Sequence, residues 1–240
     1  MWRDVPSPRH AVLVHSPLTT AVAWGDVPSH LRARGWTVTV TEVLDDEPPY
    51  LSRFVAHTAQ QLRLAGADDR VILMGHGAAG PLLPQIAFAR QAAGRPVGGY
   101  VFVDALLPRT LRPGNLLDVM EASDPVAAAS LAQHLSDGGA FPDLSDAELA
   151  EVVADPADRA LLLASVRPRR LDFFTEPLPT PVDWPDAPCA YIRLGEAHVS
   201  DARTASSRGW SVHVVRDADP YWAITHPDEL AAVMSDAASS

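Results

Sequence analysis

Lysine is absent from the 240-residue chain: all 19 of its basic residues are arginine. That excludes a lysine Schiff base and the lysine of a phosphate-binding P-loop. Cysteine is nearly absent too. Cys189 stands alone, so the sequence encodes no intramolecular disulfide and no cysteine metal site, and it suits a reducing, cytoplasmic compartment. No apolar run approaches the roughly 18 residues that a membrane span needs. The opening Met1-Trp2-Arg3-Asp4-Val5-Pro6-Ser7-Pro8-Arg9-His10 lacks the apolar stretch of a secretory signal. Positive charge is scarce: the formal net charge is −11, with no basic stripe to replace counterions, which argues against nucleic acid as a partner. The histidines show no metal-ligand spacing such as H-E-x-x-H. No metal or other cofactor is expected, and no membrane partner.

What is present is enough apolar material for one large core, 47% of the residues. Ala11–Val14 reads as a short buried strand ending in the turn-forming His15-Ser16-Pro17-Leu18-Thr19-Thr20. A helix is predicted from Trp24 to Arg34, with Gly35 placed to cap it. The β-branched run Trp36–Val43 predicts a strand, and Phe54–Leu64 a helix. Gly99–Asp104, Pro188–Leu194 and Ser211–Val215 read as further strands, with helices near Ser200–Arg208 and from Thr225 onward. Strands alternating with helices at this spacing call for an α/β fold: a mostly parallel central sheet with helices on both faces. Between Arg109 and Trp184 the strand rhythm stops. That segment is helical and punctuated by proline, with Ser145 and Asp155-Pro156 as helix starts. It reads as a cap or lid at the ligand-binding end of the sheet. The expected organisation is therefore a core of residues 1–108 and 185–240 and a helical cap insertion of residues 109–184.

The stretch around which the chain is organised is Val71-Ile72-Leu73-Met74-Gly75-His76-Gly77-Ala78-Ala79-Gly80. A buried strand runs into a glycine-rich turn and then an Ala-rich helix from Pro81 to Ala93. Strand, sharp turn and helix form the setting in which a G-x-S-x-G nucleophile elbow lifts a serine above a parallel sheet. Here the central position is Gly77, which has no side chain to attack anything.

With that stretch, the His15-Ser16-Pro17-Leu18 loop, the Cys189–Leu194 strand and the closing His226-Pro227-Asp228-Glu229-Leu230, the chain resembles the α/β-hydrolase superfamily over nearly its whole length. The match is to compact, esterase-like members with a helical cap. The resemblance implies six to eight strands, with the first two of the usual count missing here. It places the nucleophile on Gly77 and the acid in Gly195-Glu196-Ala197-His198, where Glu196 or Asp201 could substitute. Asp104 is where some branches put the acid. The general base falls in Asp217-Ala218-Asp219-Pro220-Tyr221, which contains no histidine. A triad works as a unit, so once the nucleophile is gone the other members are released from constraint. Joint loss points to divergence from hydrolysis.

Three readings follow. In the first, the cleft performs non-hydrolytic chemistry such as cyclisation, isomerisation, epimerisation or elimination on a small, largely apolar molecule, as in tailoring enzymes of bacterial secondary metabolism. Asp104, Asp219 or His15 would move protons, and the amides of Ala78 and of the Leu18 region would hold developing negative charge. Ser16, Leu18, Trp24, His76, Gly77, Ala78 and Tyr221 are the candidate substrate contacts. Each has a plainer role: His76 and Trp24 as packed core, Gly77 as a permissive turn residue, and Asp217-Ala218-Asp219-Pro220 as turn chemistry. In the second reading the chain is a ligand- or partner-binding pseudoenzyme. In the third it is an esterase inactivated at Gly77. A homodimer stays open.

Overall fold

The computed structural model describes residues 9–67, 70–109, 114–181 and 183–239. Within them the chain runs β1 (His10–Val14), a 3-10 helix (Ala21–Trp24), α1 (Val27–Ala33), β2 (Thr37–Val40), α2 (Tyr50–Leu64) and β3 (Val71–His76). A second 3-10 helix (Gly77–Leu82) leads into α3 (Leu83–Gln91), then β4 (Val97–Val103). Between β4 and the next strand lie α4 (Leu116–Ser123), α5 (Pro125–Ser136), α6 (Asp146–Leu149), α7 (Pro156–Ser165) and α8 (Leu171–Thr175). The chain closes with β5 (Cys189–Leu194), α9 (Val199–Ser207), β6 (Ser211–Val215), α10 (Trp222–Thr225) and α11 (Pro227–Ala237).

The six strands form one sheet in the order β2-β1-β3-β4-β5-β6, and every described pairing is parallel. Parallel strands covered on both faces read as unbroken apolar runs. Val71, Ile72, Leu73 and Met74 of β3 are all buried, but they divide by period two. Leu73 and Val71 pack with α2 and α3 residues such as Phe54, Leu62, Leu83 and Ile86. Ile72 and Met74 pack with Val27 and Leu31 of α1 and Leu230 and Met234 of α11. The helical segment after β4 is apolar toward the first of these layers: Leu116, Val119, Leu131, Leu135, Phe173 and Phe174 join that cluster. Its expected helix starts are real caps. The Ser145 side chain accepts from Glu148 N, while the Glu148 carboxylate accepts from Ser145 N, and Asp155 accepts from Ala157 N at 2.7 Å.

Several boundaries differ from the sequence expectation for tertiary reasons. The helix predicted from Trp24 is broken at Gly25 (φ +47°), where an added Cβ would lie 2.7 Å from the Ala223 carbonyl oxygen. Close passage of the α10 backbone selects glycine there. Helix α2 begins four residues before Phe54 because Glu176, from the far side of the sequence, accepts from Tyr50 N (2.6 Å) and Leu51 N (2.8 Å). That carboxylate satisfies first-turn amides that would otherwise be orphaned. Strand β2 stops at Val40 rather than Val43.

Candidate functional site

Strand order reverses at β1: the chain leaves β1 outward to β2, then returns to its other side as β3. Loops after β1 and β3 therefore diverge, and such a switch point at the carboxyl ends of parallel strands forms a crevice. Ser16 enters it from β1 and Gly77 from β3. Gly77 has φ +57°, and a Cβ built there would meet the Ser16 Cβ and Oγ at 3.6 Å, an ordinary contact. A side chain fits, at the roughly 1–2 kcal/mol that a left-handed L-residue costs. Three residues on, Gly80 is required by packing: a Cβ would stand 2.0 Å from the Leu106 carbonyl oxygen. The same close approach lets Leu106 N donate to the Gly77 carbonyl at 3.1 Å.

The amides expected to flank this crevice as an anion-holding pair are largely taken. Pro17 has no N–H, Leu18 N donates to Ser16 Oγ (3.2 Å), Thr19 N to Ser16 O (2.9 Å), and Thr20 N to Ser165 O (2.7 Å). Ala78 remains. It lies in the first turn of its 3-10 helix, where an amide has no intrahelical acceptor.

The expected proton-transfer residues fare differently. His15 is buried with both ring nitrogens occupied: Nδ1 donates to Ser16 O at 2.8 Å, so Nε2 accepts from Val43 N at 3.0 Å. Burial also pushes its pKa down against the opposing pull of the Ser16 carbonyl and Glu42. His15 is thus a loop-holding residue. Asp219 spends its carboxylate on its own turn, accepting from Tyr221 N (2.7 Å) and Thr225 Oγ1 (3.0 Å). Both ring nitrogens of His15 and both carboxylate oxygens of Asp219 are thus engaged within the chain itself. Trp24 is core, edge-on to His76 with ring centroids 5.9 Å apart. Tyr221 packs beside a small cluster of Leu149, Val153, Leu162 and Ile224.

Asp104 behaves otherwise. It ends β4 at φ +43°, buried, with its carboxylate accepting from Leu194 N at 3.0 Å. Burial raises its pKa, and Asp201 adds to the rise, while His198 and the Leu194 amide oppose it. His198, at the end of the loop after β5, also has a left-handed backbone (φ +52°). Its Nδ1 lies 3.0 Å from an Asp201 carboxylate oxygen, which Ser123 Oγ of α4 also contacts. Burial works against the charged imidazolium, but the Asp201 hydrogen bond and the charges of Asp104 and Asp201 outweigh it and raise the pKa of His198. On the other side, His76 is pushed down to about 4 by burial and by the His198 charge. Left-handed non-glycine backbone thus occurs beyond the ends of two neighbouring strands, at residues whose titratable side chains perturb one another. His198 keeps its Nε2 edge for another partner and is 25% exposed at the side chain. Sequence reading offered Asp104 for proton transfer, His76 as a substrate contact and Asp201 as a substitute acid, and did not name His198. A histidine three residues before an aspartate at a helix start carries no local sign of its role.

Among the described residues no group of three or more His, Cys, Asp or Glu side chains could hold a metal ion, and no helix is long and apolar enough to cross a membrane.

This architecture, with its glycine-rich turn between β3 and a following helix, is the α/β-hydrolase fold. Among solved structures the chain is similar to an extracellular α/β-hydrolase from a Paenibacillus species that shares homology with tobacco salicylic acid binding protein 2 (TM-score 0.75, 19% identity, covering 96% of this chain and 99% of that one). It is also similar to tomato methylketone synthase I complexed with 2-tridecanone (TM-score 0.69, 17% identity, 97% and 98%) and to polyneuridine aldehyde esterase (TM-score 0.67, 20% identity, 95% and 98%). No family model matches the sequence, and no curated protein matches it significantly.

Proposed function

We propose that this chain is a non-hydrolytic enzyme on the α/β-hydrolase fold, acting by proton transfer on a small, largely apolar molecule covered by the helices α4 to α8. The observation that carries this reading is a pairing on adjacent strand ends. A side-chain-free Gly77 occupies the turn after β3, buried Asp104 ends β4, and the partly exposed His198, bonded to Asp201, follows β5. No acyl-enzyme can form on Gly77, and the loop after β6, where a hydrolase base would stand, presents Pro220. His198, oriented by Asp201, supplies an imidazole of raised pKa able to hold or give a proton at Nε2. Asp104 steadies the imidazolium. The Ala78 amide supports developing negative charge, an effect worth about 3–4 kcal/mol for a well-placed donor.

One neighbour, tomato methylketone synthase I, holds a long-chain ketone on the same fold, so ketones are sensible probes. In deuterated buffer, the unmodified protein should accelerate exchange of the protons flanking the carbonyl of 2-tridecanone, followed by NMR. His198→Gln should lower that rate by about 10²-fold or more. Activated esters should give no burst with either protein; a burst from the unmodified chain would sink the proposal.

A ligand-binding scaffold is the second reading. It is favoured by the loop after β1, where Pro17 has no N–H and the Leu18, Thr19 and Thr20 amides are held by Ser16 Oγ, Ser16 O and Ser165 O. It predicts saturable binding of the ketone with no exchange.

A further inference from the structure

We propose that Arg167 and Arg169 form a carboxylate-binding site, occupied here by the chain's own Asp46, from which a small organic carboxylate with an apolar or aromatic body displaces it. The two arginines lie on the extended strap between α7 and α8 and line a cleft of about 600 Å³. Arg169 Nη1 meets one Asp46 oxygen at 2.5 Å and Arg167 Nη2 meets the other. Two guanidinium groups closing on both oxygens of one carboxylate is the arrangement for recognising a planar oxyanion.

The partners are unequally buried. Arg167 and Arg169 side chains are 16% and 11% exposed, whereas Asp46 is 59% exposed. The cations are built in: Arg167 Nη2 donates to Leu44 O at 3.1 Å, its amide donates to Leu18 O, and the Arg169 guanidinium lies over the rings of Tyr50 (5.8 Å) and Phe173 (5.2 Å). Asp46 arrives from the loop between β2 and α2. It is the replaceable member.

Phe173, Val166 and Ala164 give the cleft an apolar floor for the ligand's body. Charge selects a monoanion. With Asp46 displaced, Arg169 still feels the Asp172 carboxylate, which accepts from Tyr50 Oη at 2.7 Å, so two arginines and one aspartate leave one net positive charge for the ligand. Arg170, on the same strap, is turned away to the Gly138 carbonyl. A phosphate dianion would be overmatched in charge and would lack use for the apolar floor. The site is independent of the proton-transfer reading, because occupancy is measured by binding alone.

The experiment is calorimetric titration with phenylacetate, hexanoate, neutral phenylacetamide and inorganic phosphate. Phenylacetate and hexanoate should bind one to one, and phenylacetamide should not. Asp46→Asn, which keeps the shape and removes the competing charge, should tighten phenylacetate about tenfold, the factor expected when the internal carboxylate holds the site about nine-tenths of the time. Arg169→Gln should abolish binding; because that variant could simply misfold, the gain in Asp46→Asn is the decisive arm. Unchanged or weaker phenylacetate binding in Asp46→Asn, equal binding of phenylacetamide, or phosphate binding more tightly than phenylacetate would each overturn the proposal. So would absence of binding to both the unmodified protein and Asp46→Asn.

Discussion

Acidification should destabilise this protein through one histidine at the top of its central strand. His76 ends β3 with its ring edge-on to buried Trp24. Burial, helped by the neighbouring His198 charge, lowers its pKa from 6.5 to about 4. Its folded value thus lies below its unfolded one, so the unfolded chain takes up the proton first. Stability from this group is complete above about pH 6.5 and drains away as pH falls toward 4. A gap of about 2.5 pH units corresponds to about 3 kcal/mol, a large part of the roughly 5–15 kcal/mol that holds a typical domain together. The assay is urea unfolding at pH 7 and pH 4 for the unmodified protein and His76→Phe, which keeps an aromatic ring against Trp24. Other titrating groups are common to both and cancel in the comparison. The unmodified protein should lose about 3 kcal/mol more than the variant. Parallel losses would show that His76 is solvated when charged, and the packing account of the β3 terminus would be refuted.

Three further outcomes follow from the same geometry. Asp201→Asn should lower the pKa of His198, read by NMR titration of the imidazole, because it removes the carboxylate partner of Nδ1; an unmoved value would detach His198 from Asp201. Gly80→Ala should cost about 3 kcal/mol or prevent folding, since its methyl would run into the Leu106 carbonyl, and thermal melting measures it. Tyr191→Phe strips the buried hydroxyl that donates to Ala105 O at 2.7 Å, leaving that carbonyl unpaired, and should cost about 1–3 kcal/mol in chemical unfolding.

How much of this was legible in the residues depended on distance along the chain. Local signals carried: the apolar runs of β1, β3 and β4 became central parallel strands, and Ser145 and Asp155 start helices as their side-chain chemistry requires. What failed was set from far away. The Glu176 carboxylate that starts α2 is separated by 126 residues from the Tyr50 amide it caps, and Gly25 answers to the α10 backbone. At the site, Gly77 announced itself through a strand–turn–helix pattern. His15 looked like a candidate base, yet its two nitrogens are consumed by carbonyl and amide groups that only the folded loop brings near. His198 gave no sign, because Asp201 three residues on is an ordinary local neighbour and Asp104 comes near only when β4 and β5 lie side by side.

The central claim, that the strand ends here are built for proton transfer and not for an acyl-enzyme, is tested most directly by giving back the nucleophile. Gly77→Ser fits sterically, 3.6 Å from Ser16, and should fold with a loss of about 1–2 kcal/mol. Rapid-quench kinetics with an activated acetate ester should show no stoichiometric acyl burst in either Gly77→Ser or the unmodified protein. A burst in Gly77→Ser would mean that a base and an acid stand ready for a serine, and the chain would be a hydrolase lacking only its nucleophile.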